Sequence, residues 1–269
     1  SGRPSLVIGN FSNEMMALYR NEGNGLFIDE APTSSVGRNS LLSLTFACFF
    51  FDYDLDGLQD IFAANGHVAD DISRVQPRVT YAQAPHLFRQ VSAARFEPVA
   101  AQSGADFMRP MVARGAAYGD YDRDGDLDLL VTVNNGPARL LRNEGGENRA
   151  VRLMLRGVTS NRSAIGARVT VRLSVGTARW QMVKTGSSYL SQSELPVTFG
   201  LGASATIREI EIAWPNGRVE RLPAVAPGQT VIVEEGRGIV ERVPFSGGTA
   251  ATTASVLPSE EAGNRDTHR

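Results

Sequence analysis

Eight aspartates recur at matching positions of two nine-residue stretches, with a ninth (Asp126) in the second, and their spacing suits a hard cation. The first is Asp52-Tyr53-Asp54-Leu55-Asp56-Gly57-Leu58-Gln59-Asp60, and the second is Asp120-Tyr121-Asp122-Arg123-Asp124-Gly125-Asp126-Leu127-Asp128. Both read D-Y-D-x-D-G-x-x-D, with carboxylates at positions 1, 3, 5 and 9 and glycine at position 6. Four carboxylates this close repel one another unless a cation lies among them. An all-oxygen donor set selects calcium above all. Positions 1, 3 and 5 offer side-chain oxygens, and position 7 (Leu58, Asp126) offers a backbone carbonyl. Glycine at 6 permits the turn around the ion. The glutamate that closes an EF-hand at position 12 is replaced by Ala63 and Val131. Asp60 and Asp128 at position 9 are expected to close the shell instead. Two calcium sites are therefore expected, with Asp52, Asp54, Asp56, Leu58 and Asp60 in one and Asp120, Asp122, Asp124, Asp126 and Asp128 in the other. An Asp-Gly pair also makes ordinary hairpin turns, but a hairpin does not call for four carboxylates.

The elements that carry these loops read as strands. Thr45-Phe46-Ala47-Cys48-Phe49-Phe50-Phe51 enters the first, and Leu129-Leu130-Val131-Thr132-Val133 leaves the second. Such aromatic, aliphatic and β-branched runs favour strand, which sets the loops apart from the helix-flanked EF-hand. Three segments share a plan of strand, Asp loop, strand and short turn-ended strand. They run from the start to Leu26-Phe27, from about Ser43 to Ala101, and from about Val112 to Glu147. In the opening segment Ser1 and Ser5 fall at loop positions 5 and 9, so no calcium is expected there. Leu18-Tyr19-Arg20-Asn21-Glu22-Gly23 answers Leu140-Leu141-Arg142-Asn143-Glu144-Gly145. Repeats of about four short strands are propeller blades, and three do not close a ring. The chain therefore reads as the C-terminal part of a longer protein. Residues 67–85 read as a long loop projecting from the second blade.

From about residue 148 the pattern changes. Val151–Leu155 and Ala167–Leu173 alternate with period two, as half-buried strands do. Pro215-Asn216-Gly217 separates Ile210–Trp214 from Arg218–Leu222 and marks a hairpin. Thr230–Glu234 gives a closing strand. The fold class is thus all-β: a partial propeller over 1–147, then a small sandwich or barrel over 148–236. Residues 237–269, rich in small and polar types, are expected to be disordered.

Composition narrows the function. The 269 residues are 42% hydrophobic and 21% charged, as in an ordinary globular protein. The net charge is −2, smaller than the charge of the eight aspartates at the shared loop positions alone, so the acidity is local and the remainder is net positive. Its arginines are scattered, which gives no basic patch for nucleic acid. No stretch reaches the roughly 18 apolar residues of a membrane helix. The start carries no signal-peptide pattern and looks like a cut end. The single cysteine, Cys48, reads as a buried, inert thiol. His67, His86 and His268 lack a nucleophile nearby, and Ser191-Gln192-Ser193 lacks the strained elbow of a hydrolase. Trp180 and Trp214 lie within strand patterns and read as core rather than as a sugar platform. Arg114 reads as structural.

The residues also resemble a known pairing. The Asp-loop segments, with Ala64-Asn65-Gly66-His67-Val68 and Arg114-Gly115-Ala116-Ala117-Tyr118-Gly119-Asp120, resemble FG-GAP (VCBS) calcium-binding propeller repeats. The second unit resembles the ASPIC/UnbV domain of the cartilage acidic protein family. Its matching residues are Ser160–Val169, Ser191-Gln192-Ser193, Phe199-Gly200-Leu201-Gly202 and Trp214-Pro215-Asn216-Gly217. The resemblance implies a secreted, periplasmic or cell-surface protein with a propeller of about seven blades ahead of the small domain. With one cysteine there is no EGF-like module, which points to a bacterial-type member. The resulting expectation is a calcium-binding scaffold for adhesion to an extracellular protein or glycan, without catalysis. A lectin-like polysaccharide-binding module is the alternative, and a propeller-face enzyme the weaker one.

Overall fold

The computed structural model describes residues 3–93, 95–203 and 205–246. Three small antiparallel sheets come first. β1 (Leu6–Ile8), β2 (Ala17–Gly23) and β3 (Leu26–Asp29) form the first, in the order β1-β2-β3. A short helix α1 (Ser35–Ser40) follows, its first turn capped by the Ser34 hydroxyl, which accepts from Val36 N at 3.1 Å. β4 (Thr45–Phe51) and β5 (Asp60–Asn65) come next. The helical turn α2 (Ile72–Val75) separates them from β6 (His86–Ser92) and β7 (Arg95–Pro98), and the second sheet runs β4-β5-β6-β7. β8 (Ala113–Gly119), β9 (Asp128–Val133) and β10 (Arg139–Leu141) form the third, in the order β10-β9-β8.

These sheets stack as blades, and the strand period of two decides which neighbour each side chain meets. On β5, Ile61 and Ala63 pack with Met16, Leu18 and Phe88 toward the first blade. Phe62 and Ala64 pack with Met111 and Val131 toward the third. β4 does the same, with Phe49 on the third-blade side and Phe50 on the first. Every residue of β5 is buried, because both faces of its blade are covered. The outer blades are covered on one face only. Leu26 and Ile28 of β3 are exposed, as are Leu130 and Leu140 of the third blade.

The second unit is a sandwich. β11 (Arg149–Arg156), β12 (Arg168–Leu173), β13 (Ala178–Met182), β14 (Val197–Gly202), β15 (Ile207–Ala213), β16 (Val219–Pro223), β17 (Gln229–Glu234) and β18 (Gly238–Pro244) form two four-stranded sheets. Their orders are β14-β11-β17-β18 and β13-β12-β15-β16. Val151, Leu153, Val171, Phe199, Ile210, Ile212, Trp214 and Val231 fill the space between them. β11 and β17 pair in parallel from Val151↔Gln229 to Arg156↔Glu234, and the chain crosses through the other sheet between them. The expected hairpin is present, with Gly217 at φ 89° between β15 and β16.

Two expectations are corrected. Residues 237–246 are ordered rather than disordered. Gly238–Pro244 pairs along β17, from Gln229↔Pro244 to Glu234↔Gly238. The strand has no regular apolar alternation; Ile239 packs against the sandwich core, and the strand covers the edge that β17 offers. The rest of the tail lies outside the described residues, as do Ser1 and Gly2 of the degenerate first loop. The second correction concerns the 67–85 segment, a long and largely exposed connection that is anchored rather than free. Ile72 and Val79 are buried and bridges Gly66↔Ala82 and Gln83↔Met111 tie it to the blades, while Val68 and Val75 stay exposed.

Candidate metal centres

The two Asp loops have the same backbone conformation. Position 4 is left-handed in both, with Leu55 at φ 57° and Arg123 at φ 65°. Position 6 is left-handed as well, with Gly57 at 85° and Gly125 at 98°. A positive φ costs a residue with a side chain about 1 kcal/mol or more, so position 4 needs outside support.

Position 9 latches each loop to its blade. Asp60 Oδ2 accepts from Tyr53 N at 3.1 Å and Oδ1 from Gln90 N at 2.7 Å. Asp128 repeats the pattern, accepting from Tyr121 N at 3.1 Å and Asn143 N at 2.8 Å. Positions 3 and 5 shape the turn: Asp54 Oδ1 accepts from Asp56 N at 3.2 Å, and Asp56 Oδ1 from Leu58 N at 2.7 Å. Asp122 and Asp124 do the same for Asp124 N and Asp126 N.

The carboxylates that converge are Asp52, Asp54 and Asp60 in the first loop and Asp120, Asp122 and Asp124 in the second, with oxygens within 4.8 Å of one another. Opposed oxygens of a calcium shell lie roughly 5 Å apart. Asp56, Leu58, Asp126 and Asp128, also expected as ligands, belong to the same loops but fall outside these trios. A chemical fit to a cation comes from position 1. Asp52 Oδ1 and Asp120 Oδ1 are buried without a hydrogen-bond partner, and Asp52 is 3% exposed. An orphaned buried carboxylate oxygen is costly, and a cation is the partner that relieves it. The donors are all oxygens, which suits calcium and not zinc or copper. Asp52, Asp54, Asp60, Asp120, Asp122 and Asp124 would hold the ion; it would supply charge neutralisation and tie the loop ends.

An arginine that the sequence reading did not assign lies over each loop. Arg89 pairs with Asp54 at 2.7 Å and Asp56 at 3.6 Å, and Arg142 pairs with Asp122 at 2.7 Å and Asp124 at 3.4 Å. Each arginine precedes the residue whose amide binds position 9. The available signal was an arginine followed by a carboxamide residue in each blade, Arg20-Asn21, Arg89-Gln90 and Arg142-Asn143.

Burial and the neighbouring carboxylates push Asp52 well above the usual range, and burial lifts Asp60 to about 7. Burial and the charges of Asp124 and Asp128 lift Asp126 to about 7, and burial lifts Asp128 to about 6. A carboxyl whose folded value exceeds its unfolded value of about 3.9 holds its proton more tightly when folded. It favours the folded state at low pH, and that contribution is lost as pH rises through about 6–7. The melting temperature of decalcified protein is thus expected to fall between about pH 5 and pH 8, and saturating calcium to flatten that fall. A decalcified protein that melts higher at pH 8 contradicts the assignment.

The other candidates are structural. His67 is buried, with Nδ1 accepting from Ala69 N at 3.0 Å and the ring edge-on to Phe11. Burial lowers His86 to about 4, and its Nε2 meets Ser43 Oγ. Burial raises the Cys48 thiol to about 11, which makes it inert at neutral pH. Arg114 binds the carbonyls of Gly66 and His67 and stacks on Phe46. Trp214 is core, and Arg168 covers the face of Trp180. His268 lies outside the described residues. Glu235 is a structural residue that the sequence reading missed. It is buried, accepts from the amides of Val158, Thr159 and Ser160 and from Asn216 Nδ2, and so knits two of the resembling motifs together.

Comparison with known proteins agrees with this anatomy. Residues 52–131, which hold both loops, match the family described as FG-GAP-like repeat. Residues 157–240 match ASPIC and UnbV. The chain is similar to cartilage acidic protein 1 from Mus musculus, at 24% identity over 256 residues, covering 75% of this chain and 38% of that protein. It is 30% identical over 109 residues to the proteins of that name from Homo sapiens and Xenopus tropicalis, covering 39% of this chain and 16% of each. The chain thus spans well under half the length of these curated relatives. These matches place residues 52–131 among the FG-GAP-like repeats and residues 157–240 in the ASPIC and UnbV family, in a chain homologous to the cartilage acidic proteins.

Proposed function

We propose that this protein is a calcium-stabilised, non-enzymatic scaffold that works outside the cytoplasm and binds a protein or glycan partner. The observation that carries the calcium reading is the pair of matching loops, each with a buried position-1 oxygen that no protein group satisfies. Affinities of extracellular calcium modules, ~10⁻⁴–10⁻³ M, match millimolar calcium and leave such sites empty at cytosolic levels. Calorimetric titration of decalcified protein with calcium chloride is expected to give two sites. No heat of binding up to several millimolar calcium would sink the reading.

Recognition is assigned to a groove in the sandwich. An opening of about 630 Å³ at the end of β11 is walled by Leu155, Val183 and Leu195 and rimmed by Arg156 and Arg162. These two guanidiniums have no partner among the described residues, whereas nearby Glu234 is taken up by Arg237 at 2.8 Å. Free arginines over an apolar floor suit an acidic partner. Neutral sugars are less well served, because the two tryptophans are core or covered. An array of acidic and neutral glycans and acidic peptides tests this: acidic probes bind, and Arg156→Ala with Arg162→Ala weakens them at least about tenfold. Equal binding by that double variant would move the partner surface elsewhere.

A further inference from the structure

We infer that each metal centre is a composite of both domains. The sandwich supplies the groups that hold the two Asp loops in their ligating shape, so metal binding and the seating of the sandwich on the blades form one coupled equilibrium. The inference rests on the calcium reading above.

The key contact occurs at the same position in both loops. The carbonyl of position 4, the left-handed residue, accepts a backbone amide from the sandwich. Gly202 N donates to Leu55 O at 2.9 Å, and Ser246 N donates to Arg123 O at 2.8 Å. Gly202 closes β14, and Ser246 follows β18. These are the two outer strands of one sheet, β14-β11-β17-β18, so a single sheet spans both metal loops. The position-4 carbonyl belongs to the peptide that links position 4 to ligand position 5. Fixing that peptide fixes how the carboxylates on either side are turned.

Further contacts gather around each loop. At the first, Arg179 of β13 donates to Asp56 O at 3.0 Å and also to Gly200 O, and Asn148 Nδ2 donates to Asp54 O at 2.8 Å. Gly200 leaves no room for a Cβ, because Asp52 Oδ2 and the Leu55 carbonyl fill that space. At the second, Arg152 of β11 pairs with Asp120 Oδ2 at 3.0 Å and with Glu194, whose carboxylate accepts from Asp120 N at 3.2 Å. Ser246 Oγ donates to Asp122 O at 2.7 Å, and Phe245 packs against Gly125. Position 1 thus touches the sandwich in both loops, and it carries the orphaned buried oxygen in both. A self-contained blade loop would need none of these groups.

Coupling between two equilibria is reciprocal: whatever loosens the seat weakens the metal, and removing the metal loosens the seat by the same factor. The test uses the full chain, with calorimetric calcium titration of three variants. Arg179→Ala removes carbonyl contacts at the first loop only. Ser246→Pro removes the amide at the second only, near the end of the described chain. Each is expected to weaken one of the two calcium sites about tenfold and leave the other unchanged. Arg221→Ala, on an exposed strand of the other sheet, is the control and changes neither. Hydrogen exchange adds the reciprocal readout: the Gly202 and Ser246 amides exchange faster in decalcified wild type. If both variants fold, by circular dichroism, and bind two calcium ions with wild-type affinity, the composite centre is wrong while the calcium reading stands. If wild type binds no calcium, the calcium reading itself fails. A variant that does not fold is replaced by Asn148→Ala at the first loop or Ser246→Ala at the second, which remove one side-chain bond each.

Discussion

Chelating calcium is expected to lower the melting temperature of this protein by roughly 5–10 °C. The size follows from linkage. At ~1 mM free calcium and a dissociation constant of ~10⁻⁴ M, each occupied site adds about 1.4 kcal/mol. Two sites add about 3 kcal/mol, and a chain of this size shifts by roughly 2–4 °C per kcal/mol. That is a large share of a stability that is typically 5–15 kcal/mol in all. Differential scanning fluorimetry with and without EGTA measures it directly, and titrating calcium back restores the transition with a midpoint near the binding constant. Magnesium restores little, because it keeps its own water shell and demands tighter octahedral geometry than these loops offer. Coincident melting curves with and without EGTA would show that the arginines over the loops already neutralise the carboxylates, and that the loops are structural without metal.

The possibility is real because Arg89 and Arg142 sit where they do. Each straddles positions 3 and 5 of its loop and carries one positive charge, against four carboxylates in the first loop and five in the second, where Arg152 adds one more charge at Asp120. These guanidiniums still leave one position-1 oxygen unsatisfied in each loop. Burial first, and the neighbouring carboxylates after it, raise Asp52, Asp60 and Asp126. The rim arginines leave the loops net negative, which favours the proposed cation within each loop.

Much of this was legible in the sequence, and the reasons are local. The D-Y-D-x-D-G-x-x-D spacing dictates a turn by itself, so both loops were placed without knowledge of the fold. The alternation of Val151–Leu155 and the Asn216-Gly217 pair likewise act over a few residues. Contacts that join distant segments were not legible. Nothing near Gly200 or Ser246 in the chain says that they cap loops well over a hundred residues earlier. β18 was hidden for a related reason. Its pattern is short and exposed, and only the free edge of β17 makes a strand of it. Arg89 and Arg142 lie in between: their recurrence was visible, but their role required the third strand of each blade to be brought over the loop.

The roles of position 9 and position 3 are separable, and this gives the second large effect. Asp60 is fully buried and accepts two backbone amides, from Tyr53 and Gln90. Replacing it with alanine deprives both amides of their acceptor, which costs about 2–4 kcal/mol without any metal. The loss is best read near pH 6. Burial lifts Asp60 to about 7, so at that pH it is largely protonated, and removing it relieves little charge. Asp54 differs. It is only partly buried, its backbone contact from Asp56 N survives in asparagine, and the asparagine carbonyl can still accept from Arg89, whose partially exposed pair with Asp54 is worth little. Asp54→Asn is therefore expected to melt within about 0.5 kcal/mol of wild type in EGTA. It should lose the calcium increment of the first site, about 1.4 kcal/mol. Denaturant melts of Asp60→Ala and Asp54→Asn, each with and without calcium, distinguish a latch from a ligand. If Asp60→Ala matches wild type in EGTA, position 9 is a ligand and nothing more. The loop would then owe its shape to the metal and to the sandwich amides at position 4.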